Sequence, residues 1–477
     1  MDLIIESLKS SYKKNKVIFI LLAIFIITRI GYYKIGVRYD DSTIDSFWQY
    51  LDLGLLKENL FESLFYLHSQ PPFFNLILGI TLKLFPESYG GAFHFLYMLM
   101  GFLMYVFIFK MLRVCKFNIT LALIFSSLFV IHPSVILYEN FLFYTYPIIF
   151  LLIACSYNLM KYLINKDKSS LILFCMGIVI LCYIRSLFHL IFPIIIFGVL
   201  LFLEKDKMIY HYKLFLISIV LVLSLFFKNW FIFDTFSSSS WLGLSLWKNY
   251  TYHDVLPESG SLENNYSFKN ISYYPKEYQK VPQNYTGIKS INDTHKGNQR
   301  VNFNFYGYIN LSKDYKTLFL NKIIENPTKY AKNIIKSFGI YFKPVYDYSF
   351  LDDNRAKVNL MIEIYSYLNP LYALEKLFIG KDFYIKGIPL SKFLFTTLLF
   401  VAFVWIILKK KYPTELKMFY FFVFFITSYI MFVGNLIEIG ENNRFRLLTS
   451  PMMYLCIIIS INNIRKSVIG NNNTYSS

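Results

Sequence analysis

Apolar and polar positions fall in long blocks along this chain. Apolar runs lie at 17–36, 91–112, 118–137, 142–162, 169–186, 187–204, 213–233, 391–408, 417–437 and 446–464. Crossing the ~30 Å hydrocarbon layer takes about 20 apolar residues in a helix, so the pattern predicts about ten transmembrane helices. The run at 71–85, PPFFNLILGITLKLF, is shorter and opens on two prolines. It reads as a re-entrant or interfacial helix rather than a span.

Two polar blocks interrupt the runs. The first, 37–90, contains RYDDSTIDSFWQYLDLGLLKENLFESLFYLHSQPPFFN, with Asp40, Asp41, Asp45, Asp52, Glu58 and Glu62 close together. The second, 234–390, is rich in Asn, Ser and Tyr and contains no cysteine. Its stretch 313–343 has helical periodicity with basic residues on one face. The division is an N-terminal transmembrane module (1–233) with a functional first loop, a soluble domain (234–390) and a C-terminal transmembrane module (391–477). The soluble domain either rests on the membrane or forms a lid over a substrate site.

Composition sharpens the class. The chain has 477 residues, 56% hydrophobic and 16% charged, with mean hydropathy +0.44. Soluble domains carry about 25% charged residues, so this is an all-α polytopic membrane protein. The net charge of +18 fits lysine-rich cytoplasmic loops, and no nucleic-acid-binding motif accompanies it. With a cytoplasmic N-terminus, the inside segments hold Lys9, Lys13, Lys14, Lys16, Lys110, Arg113, Lys116, Lys161, Lys166, Lys168, Lys205, Lys207, Lys213, Lys409, Lys410, Lys411, Lys417, Arg465 and Lys466. The short outside segments hold far fewer, among them Lys34, Arg38, Lys57, Arg185, Arg444 and Arg446. That asymmetry puts both termini in the cytoplasm and both polar blocks outside it. Cys115, Cys155, Cys175, Cys182 and Cys456 lie in or beside apolar runs, without metal-ligand or disulfide-framework spacing. The first apolar run follows lysines but no small-residue cleavage site, so it is expected to stay as a helix. Asn265 and Asn284 begin sequons of little weight in an Asn-rich chain. His94, His211, His253 and His295 carry no motif and read as surface or interface residues.

The remaining polar groups converge on the outer side. They include His68 in the first loop, Glu139 in HPSVILYENF, Arg185 in YIRSLFH, Lys228 in FFKNWFIFDTF, and Glu438, Glu441, Arg444 and Arg446 in EIGENNRFRLLTSP. Guanidinium forks bind phosphate oxygens in pairs, so Arg444 and Arg446, with Arg185 or Lys228, suit a phosphate at headgroup level. They also suit interfacial anchoring. Asp40 or Asp41 suits a general base, and repulsion between neighbours raises the pKa of one of them. Aromatic side chains of the 234–390 block suit sugar rings.

The acidic first loop followed by LHSQPPFFNLILGITLKLF resembles the membrane glycosyltransferases of the GT-C class. It is most similar to their bacterial branch related to protein O-mannosyltransferases and aminoarabinose transferases. GENNRFRLLTSPMMYLC is similar to that branch's late Glu-x-x-Arg-x-Arg segment, and FKNWFIFDTFSSSSWLGLSLWK to a segment after its mid-chain spans. The resemblance covers about 17–233 and 391–464 and says little about 234–390. It implies transfer of a sugar from a polyprenyl-phosphate donor to an extracytoplasmic acceptor, in a bacterial cytoplasmic membrane. Asp40 takes the role of base or acceptor-orienting acid and Asp41 that of its partner, although many relatives have Asp-Glu there. Arg444 and Arg446, with Arg185 and Lys228, become donor-phosphate contacts. His68, Gln70, Glu139 and Glu441 become substrate contacts. Some branches use a divalent metal; no metal cage is visible in this sequence. Two other classes compete. A surface-polysaccharide polymerase or ligase of the O-antigen type would use arginines of the large loop, where only Arg300 and Arg355 stand. A lipid-linked glycan transporter would need polar groups at the membrane midplane and often an inverted repeat, and the sequence shows neither.

Overall fold

The computed structural model describes residues 2–203, 208–252, 270–379, 384–385, 388–409 and 412–472. Lys205, Lys207, Lys410, Lys411, His253 and Asn265 lie outside the described residues. The chain opens with α1 (Asp2–Lys34), and the first loop then folds into α2 (Leu53–Glu58), α3 (Leu60–Phe65) and α4 (Phe73–Leu84). A helical bundle follows: α5 (Tyr89–Val114), α6 (Ile119–Val130), α7 (Pro133–Glu139), α8 (Thr145–Asn165), α9 (Lys168–Ile184), α10 (Ile191–Leu203) and α11 (Met208–Phe233). The head comprises α12 (Leu242–Tyr250), α13 (Lys289–Asn292), α14 (Gly307–Glu325), α15 (Pro327–Phe342), α16 (Asp352–Lys357), α17 (Asn359–Ser366) and α18 (Pro370–Ile379). A two-residue antiparallel hairpin, β1 (Tyr384–Ile385) with β2 (Ile388–Pro389), leads into α19 (Leu390–Leu408), α20 (Thr414–Ile437) and α21 (Asn443–Asn472).

Seven helices among the described residues are long and apolar enough to cross a membrane. This is a multi-pass, almost wholly helical membrane protein. An eighth apolar stretch is α6 and α7 together, bent by 57°. The bend has a local cause. Pro133 has no N–H and its ring excludes a continuous helix, so it takes the first position of a new one. His132 caps that helix, its Nδ1 accepting the Ser134 N–H at 3.1 Å. The runs 169–186 and 187–204 become α9 and α10, of 17 and 13 residues. Within the segment 71–85, Phe73–Leu84 form the 12-residue α4, which starts directly after Pro71 and Pro72 and is too short to span. The periodic stretch 313–343 is two helices, because Pro327 restarts the chain behind an Asn326 cap.

The core of the described residues has three parts. The largest runs through the bundle and takes in Tyr341, Phe342, Val345, Tyr348, Leu351, Val358 and Ile362 of the head. The second is built mainly by the head, where Trp241, Leu244 and Trp247 pack against Tyr308, Leu311 and Tyr315, and Trp48 of the first loop stacks on Trp241 at 4.4 Å. The third is small and joins Phe233 to Ile291 and Ile309. Several of the aromatic side chains expected to meet sugars, among them Trp241, Trp247, Tyr308 and Tyr315, are buried in the second core. His211 is buried on the Tyr162 hydroxyl at 2.6 Å, which corrects its reading as a surface residue.

A buried ion pair fixes the bundle near the head. Glu139 is fully buried. It receives Arg29 Nε at 2.8 Å on one oxygen, and Arg29 Nη2 and the Tyr146 hydroxyl, each at 2.6 Å, on the other. Arg29 Nη1 donates to the Val130 carbonyl at 3.1 Å, closing the last turn of α6. Gly101 makes the space, since a Cβ there would stand 2.3 Å from Glu139 Oε2. Removing one partner of a buried pair strands the other charge and costs about 3–5 kcal/mol. Glu139→Ala and Arg29→Ala are each expected to lower the thermal unfolding temperature and the folded yield, and the Arg29→Met/Glu139→Leu double variant to recover part of both. Scanning fluorimetry in detergent checks this; equal losses in single and double variants would contradict it.

Candidate active site

The six residues 139–144, ENFLFY, organise the end of the bundle that carries the head. Glu139 anchors them to α1. The next residues run extended, and Asp40 pairs with Phe141 in a parallel bridge: its N–H donates to the Asn140 carbonyl and its carbonyl accepts the Leu142 N–H, both at 2.9 Å. The Leu142 carbonyl accepts the Tyr50 hydroxyl at 2.9 Å and the Thr43 hydroxyl at 3.1 Å. The Phe143 carbonyl accepts the Tyr97 hydroxyl at 2.8 Å. The acidic first loop is thus held by backbone bonds to a segment a hundred residues away.

The same segment carries two arginines on its rings. The Arg444 guanidinium lies 4.7 Å from the Phe143 ring centre and 4.9 Å from that of Tyr348. Arg185 lies 5.1 Å from the Tyr144 ring and 4.5 Å from that of Phe445. The turn before α21 aims Arg444. Gly440 takes φ +127°, which suits glycine, and donates its N–H to Asn442 Oδ1. Asn443 donates to the carbonyls of Pro344 (3.0 Å) and Asp347 (2.6 Å), setting Tyr348 beside the arginine.

Arg444 is 1% exposed. Its Nη2 donates to Glu441, while its Nε and Nη1 are buried without a hydrogen-bond partner. The Tyr348 hydroxyl is buried and unpartnered as well. Burial holds it protonated, well above the ordinary tyrosine range, with Arg444 opposing. Native interiors leave few such groups unpaired, and each costs about 1–3 kcal/mol, more when charged. The ring faces offset part of that for the cation. An anion seated there would satisfy all three atoms.

Asp40 and Asp41 lie half-buried at this end. Asp40 Oδ1 accepts the Ser42 N–H at 2.9 Å. Asp41 faces Gly90 in the first turn of α5. Its carboxyl is shifted upward, chiefly by burial and less by the neighbouring Asp40, so repulsion is the smaller cause. Tyr39 stacks on His94 at 4.9 Å beneath the pair. Among the described residues no three His, Cys, Asp or Glu side chains converge. A divalent metal therefore has no ligand set among them.

The other expected residues are occupied. Arg185 pairs with Glu438 at 3.3 Å. Arg446 donates to the carbonyls of Phe342 and Lys343, both at 2.9 Å, closing the C-terminus of α15. Lys228 donates to the Leu67 carbonyl at 2.6 Å. Glu139 is engaged by Arg29 and Tyr146 on both oxygens. Glu441 is the partner of Arg444, and Gln70 sits half-buried in the turn before α4. His68 joins the first loop to the head: Nδ1 meets the Ser240 hydroxyl at 2.7 Å, Nε2 the Asn304 carbonyl at 2.9 Å, and its N–H donates to Asn304 Oδ1 at 3.0 Å. Through these bonds it acts as a joint between loop and head. Sequence reasoning missed Arg29, Phe143 and Tyr348. Arg29 is a charge inside the first apolar run, a signal that could have been read; Tyr348 carried none.

Comparison with protein-family models, with curated proteins and with solved structures found no match to this chain.

Burial pushes His68 down to about 3 from its ordinary 6.5, with Lys228 adding to the shift. The unfolded chain therefore binds the extra proton between these values. Stability is lost as pH falls from 6.5 toward 3, by up to ~1.4 kcal/mol per unit. Unfolding temperature is expected to fall more steeply between pH 6.5 and 4.5 in the native protein than in His68→Gln. Parallel pH curves would refute a role for this histidine.

Proposed function

We propose that the protein is an integral-membrane glycosyltransferase, moving a sugar from a polyprenyl-phosphate donor to an extracytoplasmic acceptor. The observation that carries this is Arg444, buried with two free N–H groups beside the free hydroxyl of Tyr348, on the segment whose backbone holds Asp40. A phosphate offers the anionic oxygens that these three atoms lack, and a planar fork binds two of them at once. A phosphodiester-linked sugar held there leaves its anomeric carbon for the acids of the first loop. In this reading ten segments cross the membrane, both termini are cytoplasmic, and the site faces outward at headgroup level.

The reaction is a displacement. The lipid donor enters sideways from the outer leaflet and its phosphate displaces Glu441 from Arg444; Glu441, half-exposed, turns to water. Asp40 takes the proton of the acceptor hydroxyl as that oxygen attacks the anomeric carbon. The bond from that carbon to the phosphate oxygen breaks, and the electron pair leaves with the lipid phosphate. Arg444, with Arg185 beyond Tyr144, stabilises the leaving charge in surroundings from which water is largely excluded. Asp41 orients the acceptor, and the head selects it. Arg446 and Lys228 hold the walls rather than the donor. The polymerase reading draws less support: Arg355 is engaged by Asp347 at 3.1 Å and Asp352 at 2.9 Å.

The test is release of polyprenyl phosphate from polyprenyl-phosphate-linked sugars by purified protein in proteoliposomes, with cell-surface glycans as acceptors. General bases contribute about 10²–10⁴-fold, so Asp40→Asn is expected to lose turnover by that factor. Arg444→Lys keeps the charge but loses the fork, and Tyr348→Phe is expected to raise KM more than it lowers kcat. Full turnover by Asp40→Asn at native expression would remove the assignment. Comparing surface glycans after gene deletion identifies the acceptor.

A further inference from the structure

The head carries a feature that a soluble domain does not explain. α17 has three stripes on a helical wheel. Val358, Met361, Ile362 and Tyr365 face the bundle. Asn359, Glu363 and Ser366 form a narrow polar stripe. Leu360, Ile364, Tyr367 and Leu368 form a third stripe, apolar yet exposed. α18 continues it, with Leu374 exposed and Leu377 and Phe378 exposed at 76% and 79%. A helix that is apolar on nearly all sides belongs in a core or in lipid, and α17 faces the core on one side only.

Contacts fix its depth. Tyr365 of α17 meets His132, at the break between α6 and α7, with ring centres 4.9 Å apart. That break is level with the end of α1: the Tyr32 hydroxyl donates to the Ile131 carbonyl at 2.7 Å and Arg29 to the Val130 carbonyl at 3.1 Å. Both residues lie inside the apolar span Lys16–Lys34. One residue pair sits just beyond it. Asn354 of α16 exchanges two hydrogen bonds with the backbone of Arg38, at 2.9 and 2.7 Å. The path therefore descends from α16, past the end of α1, to α17 beside the last turn of a span. From α18 it passes by the hairpin into α19, whose lipid-facing side is also apolar and exposed.

We propose that α17 and α18 lie along the membrane within the boundary between headgroups and acyl chains. Their exposed apolar stripe is immersed in lipid, and the Asn359–Glu363–Ser366 stripe faces the headgroups. The partner is the bilayer itself, continuous with the surface that α19 presents to it. Interfacial helices of this kind bury their apolar face about 5–10 Å below the headgroups. The unit is tied to the candidate site, because Tyr348 stands four residues before α16 and shares the bundle's core. Lipid packing against α17 and α18 thus bears on the wall beside Arg444.

Single spin labels test this in nanodiscs. Labels at Leu360→Cys, Leu377→Cys and Phe378→Cys are compared with Val401→Cys on α19 and with Glu363→Cys on the polar stripe. The native cysteines are buried or half-buried, and unlabelled protein sets the background. The proposal expects severalfold higher collision with oxygen than with a water-soluble nickel chelate at 360, 377 and 378, as at 401, with the reverse at 363. Equal nickel access at all head positions overturns it, since the stripe would then face water. Poor access to both reagents also overturns it, since protein, such as a second copy, would then cover the stripe. Elution of each variant as the native species in size-exclusion chromatography confirms that the fold was retained.

Discussion

A carboxylate inside an apolar bundle is tolerable only if its oxygens are met by donors. Glu139 imposes this constraint on the end of the protein that carries the head. Its oxygens are met by Arg29 and Tyr146, which binds α1, the α6–α7 break and α8 at a single point. The five residues that follow it inherit their path from that point. They give Asp40 a backbone ladder, Tyr50 and Tyr97 their acceptors, and the two arginines their rings. A displaced Glu139 would move all of these together.

Arg444 inverts the logic of Glu139. One buried charge is fully met by its surroundings; the other is left short by two donors, beside a hydroxyl left short as well. Folding alone does not favour that arrangement. Local cost of this kind persists where the surrounding structure holds it in place, and here Asn443, Gly440 and the Phe143 ring do so. The contrast between the two sites is the main reason for placing ligand chemistry at Arg444 and architecture at Glu139.

Blocks of apolar sequence made the helices and the membrane class plain. Single residues decided what they could not show: Pro133 bends an apparent span, and Asp167 and Pro327 restart helices with their own caps. At the site, the late Arg-x-Arg was legible as a pair, but its members do different work. Arg444 points into the rings and Arg446 onto the end of α15, because residues two apart on a helix face different ways. His68 stood out for its chemistry and proved to be a hinge pin between loop and head. Tyr348 stood out for nothing, since its role follows from Asn443, almost a hundred residues later, gripping the backbone beside it.

The division of the core has a practical meaning for how the protein can be taken apart. The polar block 234–390 looks like a unit that could be cut out and studied in water. Its first part, built on Trp241, Trp247 and Tyr315, carries a separate cluster, and even that takes Trp48 of the first loop against it. From the stretch Tyr341 to Ile362, Tyr341, Phe342, Val345, Tyr348, Leu351, Val358 and Ile362 belong to the bundle's core. An excised head would arrive with those side chains bare and without the wall that Tyr348 makes for Arg444. The boundary drawn by polarity along the chain is not the boundary along which the molecule would separate.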